Sequence, residues 1–204
     1  MVRDAIPYLL IPLLLAAALW YFGWWPLALA CVALAAFMAY FFRDPERTAP
    51  DGGDLVLAPA DGRVTRVRAL DPADRNSATL VSIFLSPLDV HINRAPISGV
   101  ITAVQHTKGK FLIATNELAS TVNEQNSLTI EGEKITVVCK QVAGVLARRI
   151  VCWKKIGDRV QSGERFGLIK FSSRTDLILP PEVAIEVAEG ARVRGGVSVI
   201  GRIQ

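Results

Sequence analysis

Histidine and cysteine are scarce in this chain, whose 204 residues include two histidines and three cysteines. The cysteines, Cys31, Cys139 and Cys152, show no CxxC spacing. A disulfide framework needs paired cysteines, and a structural zinc site needs cysteine or histidine ligands at short, regular spacings. The sequence therefore predicts reduced cysteines, mostly buried, and no metal site.

Charged side chains are absent from Ala5 to Phe42. A single helix over this run would far exceed the bilayer core of about 30 Å. Gly23 and Pro26 interrupt the run in the middle, among aromatic residues typical of a headgroup interface. Residues 1–42 are thus predicted to form a membrane-associated hairpin with helices over about 5–22 and 26–42. Each helix is near the short limit for crossing, so a re-entrant hairpin stays open as an alternative.

Positive charges flank both outer ends of the predicted hairpin, at Arg3 and at Arg43 and Arg47. The positive-inside rule then puts both termini in the cytoplasm, with the protein in the inner membrane. A signal peptide is disfavoured because a second apolar segment follows the first at once. The net charge of +4 lacks a basic patch interleaved with aromatic residues, so it favours an anionic lipid surface over nucleic acid.

Long helical periods are absent after the Pro/Gly/Asp-rich linker of residues 43–54. Residues 55–204 instead show short apolar stretches separated by turn signals. They predict a compact, mainly antiparallel β domain, sandwich-like or barrel-like. Its candidate strands are Gly62–Arg68, Thr79–Leu85, Val100–Gln105, Lys110–Ala114, Ser127–Glu131, Lys134–Gln141, Ala147–Trp153 and Phe166–Phe171.

A weak internal repeat is visible near the end of the chain. Residues 156–169 and 189–201 share the frame G-x-R-V-x-x-G followed by an apolar strand. Such frames occur in lipoyl and biotinyl carriers, where a turn glycine precedes each strand. A membrane-anchored carrier would need a modifiable lysine at a hairpin tip, but Lys170 falls inside a predicted strand.

Polar residues interrupt the apolar framework at several places. Asp61 stands in the turn "APADGRV", and His91 lies two residues from Asp89 and from Asn93 in "SPLDVHINRAP", so the three share a face in extended chain. Further polar clusters are "NEQN" at 123–126 and the pair Arg148–Arg149. Taken singly, Asp61 is also explained as a turn residue, His91 as a structural histidine, and the last two clusters as solvated surface.

The stretch "GLIKFSSRTDLILP" is predicted to contain a strand from Gly167 to Phe171, a break at Ser172–Ser173–Arg174 and a second short strand, Leu177–Leu179. Serine hydroxyls support turns, so a polar hairpin turn is the simplest interpretation of the break. The rest of the sequence suggests a second interpretation of this break.

Seven ordered segments, taken together, resemble the short bacterial and archaeal type of phosphatidylserine decarboxylase from about Phe41 to about Pro180. They are "FFRDPERTAP", "APADGRV", "IFLSPLDVHINRAPISGVI", "GKFLIA", "NEQNSLTI", "AGVLARRIVCW" and "GERFGLIKFSSRTDLILP". The resemblance implies a membrane enzyme that makes phosphatidylethanolamine from phosphatidylserine in phospholipid biosynthesis.

The resemblance also implies a proenzyme that cuts itself before a serine, which becomes a covalent pyruvoyl group. Here that serine is Ser173, and cleavage between Ser172 and Ser173 would give chains 1–172 and 173–204. The group serves as an electron sink, which decarboxylation of an amino acid needs and side chains lack. The family pattern nominates His91 for proton transfer and Asp61 for orienting a base during self-cleavage.

The headgroup suggests a role for Arg148 and Arg149, since guanidinium groups bind phosphodiesters well. Strand alternation lets only one of the two face a pocket.

Two residues depart from the family pattern. Ser172 stands where glycine is usual, and Arg94 stands where longer relatives have a second histidine. An inactive family member that only binds anionic phospholipid is the alternative function. The sequence leaves open diacyl or ether lipid as substrate, and the oligomeric state, a homodimer included.

Overall fold

The computed structural model describes residues 3–74, 76–112, 119–144, 149–170 and 173–204. The chain divides into two units, Met1–Glu46 and Arg47–Gln204. The first unit is helical and the second mainly β. The predicted mainly β fold with an N-terminal helical hairpin is therefore confirmed.

The first unit is a pair of apolar helices, α1 (Ile6–Tyr21) and α2 (Trp25–Phe41), after a 3-10 turn over Arg3–Ala5. Proline stands in the first turn of each helix, where its missing N–H costs nothing. The connection turns at Gly23, whose φ of +77° suits glycine. Tyr8 contacts Phe42 with ring centroids 5.1 Å apart, so the helices fold back on each other.

The helices have 16 and 17 residues, close to the lengths that the uncharged run predicts. Within the described part of the chain, no helix combines the length and hydropathy required for crossing a membrane.

The described part of the second unit has a short helix, α3 (Ala119–Val122), and fourteen strands. The strands are β1 (Leu55–Leu57), β2 (Gly62–Ala69), β3 (Thr79–Leu85), β4 (Ile92–Arg94), β5 (Gly99–Thr107), β6 (Gln125–Glu131), β7 (Thr136–Ala143), β8 (Arg149–Cys152), β9 (Arg159–Val160), β10 (Arg165–Lys170), β11 (Ser173–Leu179), β12 (Val183–Ile185), β13 (Arg192–Val193) and β14 (Val199–Ile203).

Three antiparallel sheets are built from these strands. The largest has eight strands in the order β13-β2-β3-β11-β7-β6-β5-β9, and the two smaller ones are β4-β10-β8 and β1-β14-β12. The predicted strand Lys110–Ala114 is wrong where it can be checked. Lys110 makes only an isolated bridge to Asn123, residues 111–112 are not in a strand, and residues 113–114 lie outside the described residues.

The internal repeat is more extensive than its glycine frame indicates. The stretches 58–62 and 95–99 both read A-P-x-x-G and lead into β2 and β5. Each pairs with one copy of the frame, through β13 on one side and β9 on the other. The two copies meet at Gly163 and Gly196, where a Cβ on Gly196 would lie 3.2 Å from the Gly163 Cα. Glycine is needed there because both φ angles are positive and the backbones approach closely.

A large hydrophobic cluster fills much of the described part of the β unit. Its members come mostly from alternate positions of the eight-stranded sheet, such as Val81, Ile83 and Leu85 of β3 and Leu177 and Leu179 of β11. This alternation follows from the two-residue period of a strand. The same face of β11 carries Ser173 and Thr175, so the apolar core ends in polar residues at one end of the strand.

Candidate active site

The predicted cleavage point lies where the chain passes from one sheet to another. β10 pairs with β4 and β8, whereas β11 pairs with β3 and β7. The two strands do not pair with each other, so the polar hairpin turn suggested by the serines is wrong. Residues 171–172 connect them, and Ser172 therefore lies outside the described residues.

The predicted break in the strand pattern includes Ser173 and Arg174, which in the structure belong to a strand. β11 begins at Ser173 and continues through Arg174 to Leu179, between two neighbouring strands. A central strand tolerates these polar residues because Arg174 and Asp176, on one face, form a buried ion pair with Nε and Oδ1 2.9 Å apart. Burial lowers the pKa of Arg174, and the nearby Asp176 carboxylate opposes this shift.

Ser173 is fully buried at the start of β11, opposite Leu85 of β3 and Ala143 of β7. Its Oγ has no hydrogen-bond partner among the described residues. A buried hydroxyl without a partner costs about 1–3 kcal/mol, so such groups are rare outside sites of chemistry or strain. The exposed part of this serine is negligible, and its hydroxyl is held near residue 172 by the chain itself.

His91 reaches the same corner from the other sheet. Its carbonyl oxygen accepts a hydrogen bond from Ile169 N at 3.3 Å, one residue before the end of β10 at Lys170. The side chain is buried, and its Nδ1 lies 3.0 Å from the carbonyl oxygen of Asp89. Because a carbonyl only accepts, Nδ1 carries the proton in this contact.

Asp89 shapes the turn that carries His91. Its carboxylate Oδ2 accepts the Ser86 N–H at 2.8 Å, which closes the turn directly after β3. Leu85, the last residue of β3, is the partner of Ser173. After Leu85, which pairs with Ser173, the chain makes one short turn and reaches His91 beside the end of β10.

A buried chain of amides joins the two sheets behind these residues. Asn93 Nδ2 donates to Thr175 Oγ1 at 3.0 Å, and Gln141 Nε2 donates to Asn93 Oδ1 at 2.9 Å. Asn126 Nδ2 then donates to Gln141 Oε1 at 3.0 Å. All four side chains are almost completely buried. A satisfied buried network of this kind specifies one relative position of the strands that carry it.

The motif "NEQN" therefore contributes buried structure rather than solvated surface. Asn126 belongs to the amide chain, and Asn123, at 1% exposure, donates through Nδ2 to the carbonyl oxygens of Leu112 and Ala143. Its Oδ1 also accepts the Leu112 N–H at 3.0 Å. Asn123 thus fixes the end of β7 that lies opposite Ser173.

Asp61 takes no part in this amide chain and instead binds Arg47 and Gly195. Arg47 donates from Nη1 to Oδ1 at 2.5 Å and from Nη2 to Oδ2 at 2.7 Å, and Gly195 N donates to Oδ1 at 2.8 Å. Asp61 ends the turn before β2, which lies two strands from β11, so it stands about 10 Å from the start of β11. The role of Asp61 in orienting a base stays a prediction.

The second half of the repeat clarifies what Asp61 does structurally. Ser98 occupies the equivalent position, and its Oγ accepts the Ser162 N–H at 2.8 Å as Asp61 accepts the Gly195 N–H. The turn contact is thus common to both halves. The ion pair with Arg47 is possible only at Asp61, because Ser98 carries no charge. This ion pair neutralises the largely buried carboxylate of Asp61.

Of the two predicted phosphate-binding residues, only Arg149 lies among the described residues. Arg148 lies outside the described residues. Arg149 opens β8 directly opposite Lys170, the last residue of β10, and its side chain is exposed. Lys170 is buried in the strand, which does not suit a lysine modified at an exposed hairpin tip.

Cysteine and metal chemistry find no support in the described residues. Burial raises the pKa of Cys139 and of Cys152, which makes both thiols poor nucleophiles. The described part of the chain has no group of three or more potential metal ligands from His, Cys, Asp and Glu.

Sequence reasoning missed the residues that support the site. The sequence places Arg47 in the linker, at the membrane flank. Nothing in its spacing from Asp61 indicates that the two residues form an ion pair. Thr175 and Gln141 stand at strand positions that only the pairing of sheets brings next to Asn93. For Gln141 the available signal was a polar residue on the core face of the predicted strand Lys134–Gln141, whereas Thr175 lies outside the predicted strands and gave no such signal.

Similarity to known proteins shows the family of this chain. The family model for phosphatidylserine decarboxylase matches residues 34–201. A phosphatidylserine decarboxylase proenzyme from Solibacter usitatus (strain Ellin6076) is 48% identical over 198 residues, covering 96% of this chain and 93% of the relative. Proteins of the same name from Gluconobacter oxydans (strain 621H) and Chlorobium phaeobacteroides (strain BS1) are 46% and 43% identical. They cover 98% and 86% of this chain, and 93% and 83% of their own lengths. The corner between β10 and β11, with Ser173 at its centre, is thus the candidate active site of a chain that belongs to the phosphatidylserine decarboxylase family, a family of decarboxylating enzymes.

Proposed function

We propose that this chain converts phosphatidylserine to phosphatidylethanolamine and carbon dioxide, using a pyruvoyl group made from its own Ser173. The observation that carries the proposal is the environment of Ser173. Its Oγ is buried, lacks a hydrogen-bond partner among the described residues, and opens a strand directly after the connection between two sheets. A hydroxyl in that position suits an internal nucleophile better than a structural serine.

Self-cleavage begins when Oγ of Ser173 attacks the carbonyl carbon of residue 172, which converts the peptide bond to an ester. Loss of the Cα proton of Ser173 then breaks the Cβ–Oγ bond and releases a carboxylate at the end of chain 1–172. Hydrolysis of the dehydroalanine that remains releases ammonia and leaves a ketone at the start of chain 173–204. Each proton transfer needs a positioned base or acid.

His91 is the proposed group for these transfers because it borders the same corner and an imidazole can both accept and donate a proton. The pyruvoyl group supplies the electron sink that decarboxylation of the serine headgroup needs. His91 then delivers a proton to the former α-carbon. Asp89 holds the imidazole by its carbonyl oxygen, so the ring keeps one tautomer and one orientation.

Substrate binding is proposed for Arg148 and Arg149, since the phosphodiester of the headgroup suits a guanidinium group. Arg149 lies opposite the last residue of β10 and is exposed, which supports a contact with a ligand that approaches from outside. Burial of Ser173 and His91 implies that only the headgroup enters, while the acyl chains stay outside.

The helical hairpin is proposed to anchor the protein in the inner membrane, with the β unit on the cytoplasmic side. Support comes from the uncharged run and from apolar side chains that lie exposed on both helices, such as Leu14 of α1 at 69% and Leu27 of α2 at 53%. Deletion of residues 1–42 should leave a folded β unit that no longer sediments with membranes. A full-length protein that stays in solution without detergent would overturn this anchor.

The deciding experiment is an intact mass of the purified protein and of Ser173→Ala. The wild type should give two chains divided between residues 172 and 173, and the smaller one should react with hydroxylamine or borohydride at its ketone. Ser173→Ala should stay a single inactive chain. Ser82→Ala is the matched control, since Ser82 is an equally buried serine on β3 whose Oγ also lacks a partner among the described residues. An uncut wild type that still decarboxylates phosphatidylserine would refute the mechanism.

A further inference from the structure

One edge of the eight-stranded sheet is lined by exposed arginines. Arg63 of β2 pairs directly with Arg192 of β13, and Arg194 follows two residues later. All three side chains are exposed, Arg192 to 78%. We call Arg63, Arg192 and Arg194 the arginine edge.

Few carboxylates offset the charge of the arginine edge. Arg63 Nε donates to the carbonyl oxygen of Gly190 at 3.1 Å, and this contact leaves its charge uncompensated. Arg192 lies 3.5 Å from Asp89 Oδ1, a carboxylate whose other oxygen accepts the Ser86 N–H. Glu189, whose Oε1 accepts the Val67 N–H, is a second carboxylate at this edge, and three arginines beside two carboxylates still leave a net positive charge.

The arginine edge is continuous with the candidate active site. Asp89, the partner of Arg192, is the residue whose carbonyl oxygen orients His91. The same turn exposes Leu88 to 62%, an apolar side chain one residue before Asp89, the partner of Arg192. Exposed arginine next to an exposed aliphatic side chain is typical of a surface that meets lipid headgroups.

We propose that the arginine edge and Leu88 dock the β unit on anionic lipid headgroups, and so hold the turn carrying His91 against the bilayer. This inference rests on the proposed function, because it assumes a substrate that is presented in a membrane. The reason for docking is the burial of Ser173 and His91. A headgroup attached to acyl chains reaches buried groups only if the corner sits at the membrane surface. Guanidinium groups suit this contact because they bind phosphate oxygens in pairs.

The docking should affect encounter with membrane substrate rather than the chemical step. It should therefore lower KM on vesicles that contain anionic lipid, weaken with added salt, and vanish for a phosphatidylserine with acyl chains short enough to dissolve in water. The hairpin provides anchoring in either case, so the full-length protein is the right sample.

The test compares full-length Arg63→Glu/Arg194→Glu with Lys108→Glu/Arg159→Glu. The control changes charge equally at exposed positions, Arg159 being on β9 at the other edge of the same sheet. Decarboxylation is measured in phosphatidylcholine vesicles carrying phosphatidylserine, with and without phosphatidylglycerol. The first variant should lose the stimulation by phosphatidylglycerol, with kcat/KM lowered about tenfold. Its rate on short-chain, water-soluble phosphatidylserine should equal that of the wild type, and the control should behave as wild type throughout.

Hydrogen exchange gives a readout that does not depend on activity. In nanodiscs, peptides around residues 60–66 and 189–196 of the wild type should gain protection when phosphatidylglycerol is present and lose it in Arg63→Glu/Arg194→Glu. Unchanged protection, or equal losses in the control variant, would overturn the docking surface. A wild type that docks in this assay but decarboxylates no phosphatidylserine would overturn the proposed function and leave the docking surface standing.

Discussion

Asn93 Nδ2 lies 3.0 Å from Thr175 Oγ1, and this hydrogen bond joins the strand two residues beyond His91 to the strand two residues beyond Ser173. His91 immediately precedes β4, which contains Asn93, and Ser173 and Thr175 share one face of β11. Both strands lead away from the corner at the end of β10. The contact therefore fixes the relative position of the two strands that follow the proposed reacting residues.

Thr175→Val should slow self-cleavage by weakening that alignment. Valine keeps the shape of threonine but removes the acceptor, which leaves the Asn93 amide unsatisfied at a cost of about 1–3 kcal/mol. The first-order rate at which the two chains appear is the measurement. Thr175→Ser should restore it, and Thr136→Val, at an exposed strand position, should have no effect. Equal rates in Thr175→Val and wild type would show that the hydrogen bond does not set the alignment.

Ser172→Gly should cleave at least as fast as the wild type, because glycine puts fewer steric limits on the conformation of the peptide that the nucleophile attacks. Ser172→Ala should also be cut if Ser173 alone is the nucleophile. Gel electrophoresis of freshly expressed protein follows both. Loss of cleavage in Ser172→Ala would instead assign a chemical role to the Ser172 hydroxyl.

His91→Ala should lower kcat by about 10²–10⁴, the usual contribution of a positioned acid or base. The only other histidine, His106, is about half exposed near Glu124 and serves as the control. His106→Ala should keep normal turnover. A His91→Ala protein that cleaves and turns over normally would return His91 to a structural role.

One of Arg148→Ala and Arg149→Ala should raise KM for phosphatidylserine strongly and the other should not, since neighbouring strand residues face opposite ways. Steady-state kinetics on detergent-dispersed lipid separates KM from kcat. Equal, negligible effects of both substitutions would remove these arginines from the phosphate site.

Arg47→Gln should lower the free energy of unfolding by about 3 kcal/mol, because it leaves the largely buried Asp61 carboxylate without its cation. Denaturant titration in detergent measures this loss. Ser98→Ala removes only the equivalent turn contact in the other half of the repeat and should cost about 1 kcal/mol. Similar losses in the two variants would mean that the Arg47 charge contributes little beyond the turn.

Much of the fold could be predicted because it rests on local pattern. The uncharged run and its glycine-proline break determine two helices, since apolar periodicity and helix breakers act within a few residues. Alternating apolar residues likewise determine most strands, including β2, β3 and β5. The likeness of seven segments to one family is also a property of the sequence, and it singled out Ser173 and His91.

The tertiary structure alone decided what surrounds those residues. "FSSRTD" suggests a turn by composition, yet Ser173–Leu179 is a central strand because Arg174 and Asp176 neutralise each other inside the protein. The partners Arg47 and Asp61 are 14 residues apart, and Asn93 and Thr175 are 82 apart. Such contacts follow from which sheets meet and in which register, and that depends on packing over the whole chain rather than on any local stretch.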